Sequence, residues 1–114
     1  MNVENFTRRD KFLFNPTLGI RGETSADQLR YLLAEIRRML YEHPRIESES
    51  ARIRFTGFDK AALNLEIFSH ILTRDMGEFA AISEDVWLRI MEIVEKSGSG
   101  FAVSSRAEIG RAHV

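Results

Sequence analysis

From Lys11 to Arg21 the apolar residues fall on alternate positions, with Phe12, Phe14, Leu18 and Ile20 sharing one parity. A period of two predicts a strand over Phe12–Arg21 with one buried side. Pro16 lies inside that run and has no amide proton to donate, so an edge position or a bulge is expected there. Gly22-Glu23-Thr24-Ser25 turns the chain, and Ser25 followed by Gln28 is a capping-box signature for a helix start. Leu29, Leu32, Leu33, Ile36 and Leu40 then recur at helical spacing, and Arg38 and Glu42 can pair on the opposite side. Pro44 stops the run, which places a helix near Ser25–His43.

The second half repeats this grammar. Beyond the polar stretch Glu47–Ser50, Ile53 and Phe55 alternate with Arg52, Arg54 and Thr56. Leu63, Leu65, Ile67 and Ile71 alternate with Asn64, Glu66 and His70. Strands over Arg52–Phe58 and Ala61–Thr73 follow, joined as a hairpin through Gly57-Phe58-Asp59-Lys60. Asp75 with Glu78 reads as a second capping box, opening a helix near Asp75–Ser97. Its core stripe is Phe79, Ile82, Val86, Ile90 and Ile93. Asp85, Arg89, Glu92 and Lys96 line the far side as two i,i+4 ion pairs. Gly98 ends the helix, and Phe101–Val103 begins a short last strand. The order β-α-β-β-α-β with right-handed crossovers predicts an α+β fold. It is a ferredoxin-like sandwich with two helices on one face of a four-stranded antiparallel sheet.

Composition narrows the function classes. Of 114 residues, 44% are hydrophobic and 29% charged, which suits one domain able to bury a core without metal or disulfide staples. Sixteen basic residues against 17 acidic leave a net charge of -1, so no bulk attraction to nucleic acid or anionic lipid is expected. The absence of cysteine removes disulfides, thiol catalysis and thiolate metal sites. No run approaches the ~20 apolar residues of a membrane helix, so the chain as it stands reads as soluble.

No constellation points to catalysis, a metal or a cofactor. His43, His70 and His113 are far apart and lack ligand-like spacing. His43 sits at a helix C-terminus, where a cation is mildly favoured, and His70 reads as a partly exposed sheet residue. Ser104-Ser105 lacks the context of a nucleophile elbow, and Gly98-Ser99-Gly100 follows a helix rather than opening one, as a phosphate loop would. The same strand order also serves RNA-recognition modules, and Arg8-Arg9-Asp10-Lys11 with Arg52 and Arg54 would supply basic groups. Phe68 is the only aromatic in the third strand, however, and the basic-glycine-aromatic pattern is missing. An RNA-recognition or small-ligand regulatory module is therefore the alternative reading. The second helix carries more apolar surface than one sheet face needs. Trp87 and Met91 flank its stripe and Leu88 lies nearly opposite, which reads either as a wide core contact with one exposed leucine or as a subunit contact for which these three are the candidate residues.

Ordered short matches add a resemblance. Arg8-Arg9-Asp10-Lys11, Thr17-Leu18-Gly19-Ile20-Arg21, Glu23-Thr24 and Asp27-Gln28-Leu29-Arg30 are followed by His43-Pro44-Arg45, Arg52-Ile53-Arg54-Phe55 and Leu63-Asn64-Leu65-Glu66-Ile67. Glu78-Phe79, Ser83-Glu84-Asp85 and Ile93-Val94-Glu95 before Gly98 complete the series. Together they resemble the C-terminal domain of the MscS-like mechanosensitive channel family, from about Val3 to Ser105. The resemblance implies transmembrane helices and an Sm-like β domain upstream, Met1 then being an internal methionine. It also implies seven subunits around a hollow cytoplasmic cage. Residues 1–10 would connect to that β domain. Residues 11–105 would form the lower cage wall and border its lateral portals, without catalysis. Partners would be other copies of the chain, with no nucleic acid and with membrane contact only through the upstream helices.

One departure stands out. Gly100-Phe101-Ala102-Val103-Ser104-Ser105 lacks the proline that the family usually places before its closing strand. Residues 106–114 read as a tail. Glu108-Ile109-Gly110-Arg111-Ala112-His113-Val114 is similar to the conceptual translation of a sequencing adapter, GAG ATC GGA AGA GCA CAC GTC. The expectation is that this heptapeptide is an artefact and that authentic sequence ends near Ala107. Without Glu108 and Arg111, 15 basic and 16 acidic residues remain, so the charge argument is unchanged.

Overall fold

The observed element order is strand, strand, helix, strand, strand, helix: β1 (Lys11–Phe14), β2 (Thr17–Arg21), α1 (Ala26–Glu42), β3 (Arg52–Asp59), β4 (Ala62–Leu72) and α2 (Met76–Lys96). The structure is a computed structural model and describes residues 10–102. The expectations for residues 1–9, Val103 and the tail with Glu108–Val114 fall outside the described residues.

The single strand expected over Phe12–Arg21 is split at Asn15-Pro16, yet no bulge forms. Phe14 pairs with Ser69 and Thr17 with Glu66, three steps forward against three steps back, so β1 and β2 keep one register along β4. Ile67 still donates its N–H to the Pro16 carbonyl at 2.9 Å. The donor that Pro16 lacks is replaced by the Asn15 side-chain amide, which donates to the Ile67 carbonyl and to Glu66 Oε2. A side chain thus satisfies a ladder position that the backbone cannot.

On the other side of β4, β3 pairs antiparallel from Arg52↔Phe68 to Asp59↔Ala62. The bulge lies here, where Phe55 opposes Leu65 and Gly57 opposes Asn64, leaving Thr56 as the extra residue. Gly57 takes φ +137 there, open to glycine and strained for any other residue. The strand therefore runs past the expected connection, and the hairpin turns at Lys60-Ala61, with Lys60 in the left-handed region at φ 56.

The expected last strand is reduced to a bridge between Phe101 and Ile20 within the described residues. Arg21 N–H donates to the Gly100 carbonyl and Ala102 N–H to the Gly19 carbonyl. The lateral order is then the 100–102 segment, β1 with β2, β4 and β3, that of a ferredoxin-like sheet.

Side-chain parity decides which face the helices cover. Phe14, Leu18, Ile20, Ile53, Leu65, Ile67 and Ile71 point to one side and form a single cluster with Leu32, Ile36 and Leu40 of α1 and Ile82, Val86, Ile90 and Val94 of α2. Ser69 has the same parity and is buried without penalty, because its hydroxyl donates to the Phe14 carbonyl at 3.1 Å. Ile93, expected in the stripe, yields its deepest place to Val94. Phe55 shares the parity of Ile53 but is exposed, since the bulge and the strand end carry it beyond the helices. The helices run antiparallel, with Gln28 near the start of α1 donating to the Ser97 carbonyl at the end of α2.

Candidate subunit interface

The solvent stripe of α2 follows from the core stripe by helical geometry. With Ile82, Val86 and Ile90 buried, Glu84, Leu88, Met91 and Glu95 at offsets of four, three and four fall on the opposite side. Leu88 is 54% exposed and Met91 45% exposed, flanked by exposed Glu84, Glu92 and Glu95. Trp87 is less exposed than these two: it is partly buried, and its ring packs edge-on against Phe14 at 6.1 Å at the edge of the core. Of the three expected contact residues, the structure leaves Leu88 and Met91 on the surface.

Charges on the stripe are less balanced than spacing suggests. Arg89 Nε reaches Asp85 Oδ2 at 2.8 Å, as expected for that i,i+4 pair. The Glu92–Lys96 pair is not formed, and Glu84, Glu92 and Glu95 make no ion pair with any described residue. The stripe is thus apolar at its centre and acidic around it.

Two clusters hold α2 in place. His43 is buried at the end of α1. Its Nδ1 accepts the Arg45 N–H at 3.1 Å, so the proton lies on Nε2 and is donated to Asp85 Oδ2 at 2.8 Å. That bond, followed by Arg89, holds the Asp85 carboxyl below its ordinary range. At the start of α2, Asp75 accepts the Glu78 N–H at 2.8 Å, but the return half of the expected capping box is missing. Arg45 and the Thr73 hydroxyl take the Glu78 carboxylate instead, and the Asp75 N–H turns to Thr73. Arg45 foremost, then Thr73, lowers the Glu78 pKa, and the same contact raises that of Arg45. Arg45 also donates to the Leu72 carbonyl at 2.8 Å, tying the loop after α1 to the end of β4.

The outer face of the sheet, bare of helices, has the opposite character. Arg52 and Arg54 stand two residues apart on β3, and neither forms an ion pair with a described residue. The Arg52 guanidinium lies over the Phe68 ring, 5.4 Å from its centroid, and His70 meets the same ring edge-on. A nucleic-acid base could stack on Phe68 only by displacing that guanidinium. Beside it Leu13 is 52% exposed. Further along, Lys11 pairs with Glu47 at 3.0 Å, and Ser50 links Glu47 to His70. The Ser50 hydroxyl first, then Lys11, holds Glu47 below its ordinary range.

A second apolar patch escaped the pattern. Phe58, 68% exposed, tilts against Phe55 at the hairpin end, above a groove of about 470 Å³ shared with Leu29 and Leu63. The bulge that exposes it has Gly57 as its only sequence signal.

Residues 15–101 match the family described as "Mechanosensitive ion channel MscS, C-terminal". The chain belongs to this MscS channel family. It is 42% identical over 107 residues to an uncharacterized MscS family protein of Aquifex aeolicus, covering 93% of this chain and 29% of that protein. It is 30% identical to the low conductance mechanosensitive channel YnaI of Escherichia coli, covering 93% of this chain and 31% of YnaI. The chain therefore spans about three-tenths of the length of these curated relatives. The MscS-type fold recurs in cryo-EM structures of Arabidopsis thaliana MSL1. TM-scores are 0.73 and 0.74 at 15% and 16% identity, covering 83% and 86% of this chain and 36% and 34% of those chains. The family match runs from Asn15 to Phe101 and so takes in both helices and the bridge to Ile20. No helix of this MscS domain among the described residues is long and apolar enough to cross a membrane, and no described group of three or more acidic or histidine side chains is arranged to hold a metal.

Proposed function

We propose that this MscS C-terminal domain is a non-catalytic wall piece of a channel's cytoplasmic assembly. Copies of it, seven in the complete channel, border the lateral portals through which ions leave when membrane tension opens the pore. The family match over residues 15–101 carries this reading. The structure is in keeping with it: what the domain offers is surface, namely an apolar helix stripe with an acidic rim and a bare sheet face with two arginines that form no ion pair with a described residue. On this reading the membrane helices and the Sm-like domain belong to the remaining seven-tenths of the relatives' length. The domain itself lies on the cytoplasmic side.

The test is electrical. The complete gene product that contains this domain, reconstituted in liposomes, should give discrete conductances when suction is applied to a patch. Silent patches from vesicles shown to contain folded protein would overturn the reading.

A further inference from the structure

The acidic, apolar face of α2 and the basic, apolar face of the sheet lie on opposite sides of one domain. No copy can bring its own two faces together. We propose that the α2 stripe of one copy docks on the outer sheet face of the next, a head-to-tail contact resting on the assembly reading above. Leu88 and Met91 cover Leu13 and the partly exposed Phe68, while Glu92 reaches Arg52 and Glu95 reaches Arg54.

Complementarity within a single sequence selects a second copy as the occupant. Among the described residues, three carboxylates without ion-pair partners surround Leu88 and Met91 on one face, and on the other two guanidiniums without ion-pair partners flank Phe68 and outnumber the Glu66 carboxylate beside them. The dimensions agree. Glu92 and Glu95, an i,i+3 pair, have side-chain roots ~5–6 Å apart. Arg52 and Arg54, two steps along a strand, are separated by ~6.6 Å. From Leu88 to Glu95 the helix rises ~10.5 Å. The two strand spacings from the Leu13 strand across β4 to the Arg52 strand amount to ~9.6 Å. A helix laid obliquely over the strands, so that Glu95 lies further along β3 than Glu92, therefore brings its apolar part over Leu13 as its acidic end meets the arginines. Such a contact joins unlike faces and leaves each copy with both faces usable, the condition for a closed ring.

Because the chain has no cysteine, disulfide trapping reads this contact without background. Leu13→Cys chain is mixed with Leu88→Cys chain under mild oxidation. The expected result is a mixed disulfide in excess of its statistical share over both homodimers. Adding Arg54→Glu to the Leu13→Cys chain should lower the mixed product roughly two- to fivefold, the range for one exposed charge pair. Adding Glu95→Arg to the Leu88→Cys chain should restore it. A statistical mixture, a dominant Leu88→Cys homodimer, or failure of the charge swap to restore trapping would each overturn the assignment. None of these outcomes bears on tension-activated current, so the two proposals fail separately.

Discussion

Replacing Asn15 with alanine should cost about 1–2 kcal/mol, and most of that loss should vanish once Pro16 is alanine too. The Ile67 carbonyl lies opposite Pro16 in the central strand and takes its hydrogen bond from the Asn15 amide. A fully buried acceptor left without a donor costs about 1–3 kcal/mol, and this partly buried one falls in the lower part of that range. The second Asn15 contact, to Glu66, is exposed and adds little. With alanine at position 16, a backbone N–H stands where the carbonyl needs it, and removing the Asn15 amide should then cost less than about 0.5 kcal/mol. Pro16→Ala also loosens the unfolded chain, but that effect is common to both arms of the double-mutant cycle and cancels.

Urea unfolding followed by circular dichroism measures the cycle. For a slope of about 1–2 kcal/mol/M, Asn15→Ala should lower the midpoint by roughly 0.5–2 M in the native background and by under about 0.5 M in the Pro16→Ala background. Equal shifts in both backgrounds would refute the reasoning, because the amide would then act other than by filling the missing donor.

Other perturbations test other joints. His43→Leu should destabilise by about 1–3 kcal/mol, since it leaves the Arg45 N–H without its acceptor, whereas Asp85→Asn, on a half-exposed side chain, should cost under about 1 kcal/mol; the reverse order in thermal melts would contradict the tautomer assigned here. Gly57→Ala should cost about 1–3 kcal/mol through backbone strain alone, because an added Cβ meets nothing within 4 Å; a neutral result would place the bulge elsewhere. Asp85, Glu78 and Glu47 all have lowered folded pKa values, so their contribution is present above the unfolded carboxylate range and is lost as pH falls through the folded values. Melting temperature should accordingly drop below about pH 4, and Glu47→Gln should flatten part of that drop. Leu88→Glu should change stability by no more than about 0.5 kcal/mol, a larger loss in urea placing Leu88 in the core.

The fold was legible because strand parity and helix spacing are local and strong. Phe12 to Ile20 and Leu63 to Ile71 each declare one buried side, and once two such runs are antiparallel the helices have a single face to cover. Local patterns misled where a distant group competed. Asp75 and Glu78 have capping-box spacing, but Arg45, 33 residues away, offers the Glu78 carboxylate a charge-assisted pair that a neutral backbone N–H cannot match. At the end of α1, His43 looks like a surface residue until Asp85 of α2 arrives beside it. On the helical wheel Trp87 stands at the flank of the stripe, and only the position of Phe14 on β1 decides that its ring packs against the core.

The interface was harder to read for a reason of energy rather than geometry. Spacing pairs Glu92 with Lys96, which would neutralise the acidic rim of the α2 stripe. An exposed i,i+4 pair is worth about 0.2–0.5 kcal/mol, no more than thermal energy, so spacing alone cannot say whether the carboxylate is engaged. Among the described residues the structure leaves it without an ion pair, together with Glu84 and Glu95, and leaves Arg52 and Arg54 without ion pairs too, although Glu66 stands opposite Arg54 on β4. Each of these side chains alone is an ordinary solvated charge. Their grouping by sign on opposite faces, each group around exposed apolar residues, is a property of the assembled tertiary structure. Sequence reasoning could find Leu88 and Met91 by their position on the wheel. It could not find what they would meet, because Leu13, Phe68 and Arg52 become neighbours only when β1, β4 and β3 are aligned.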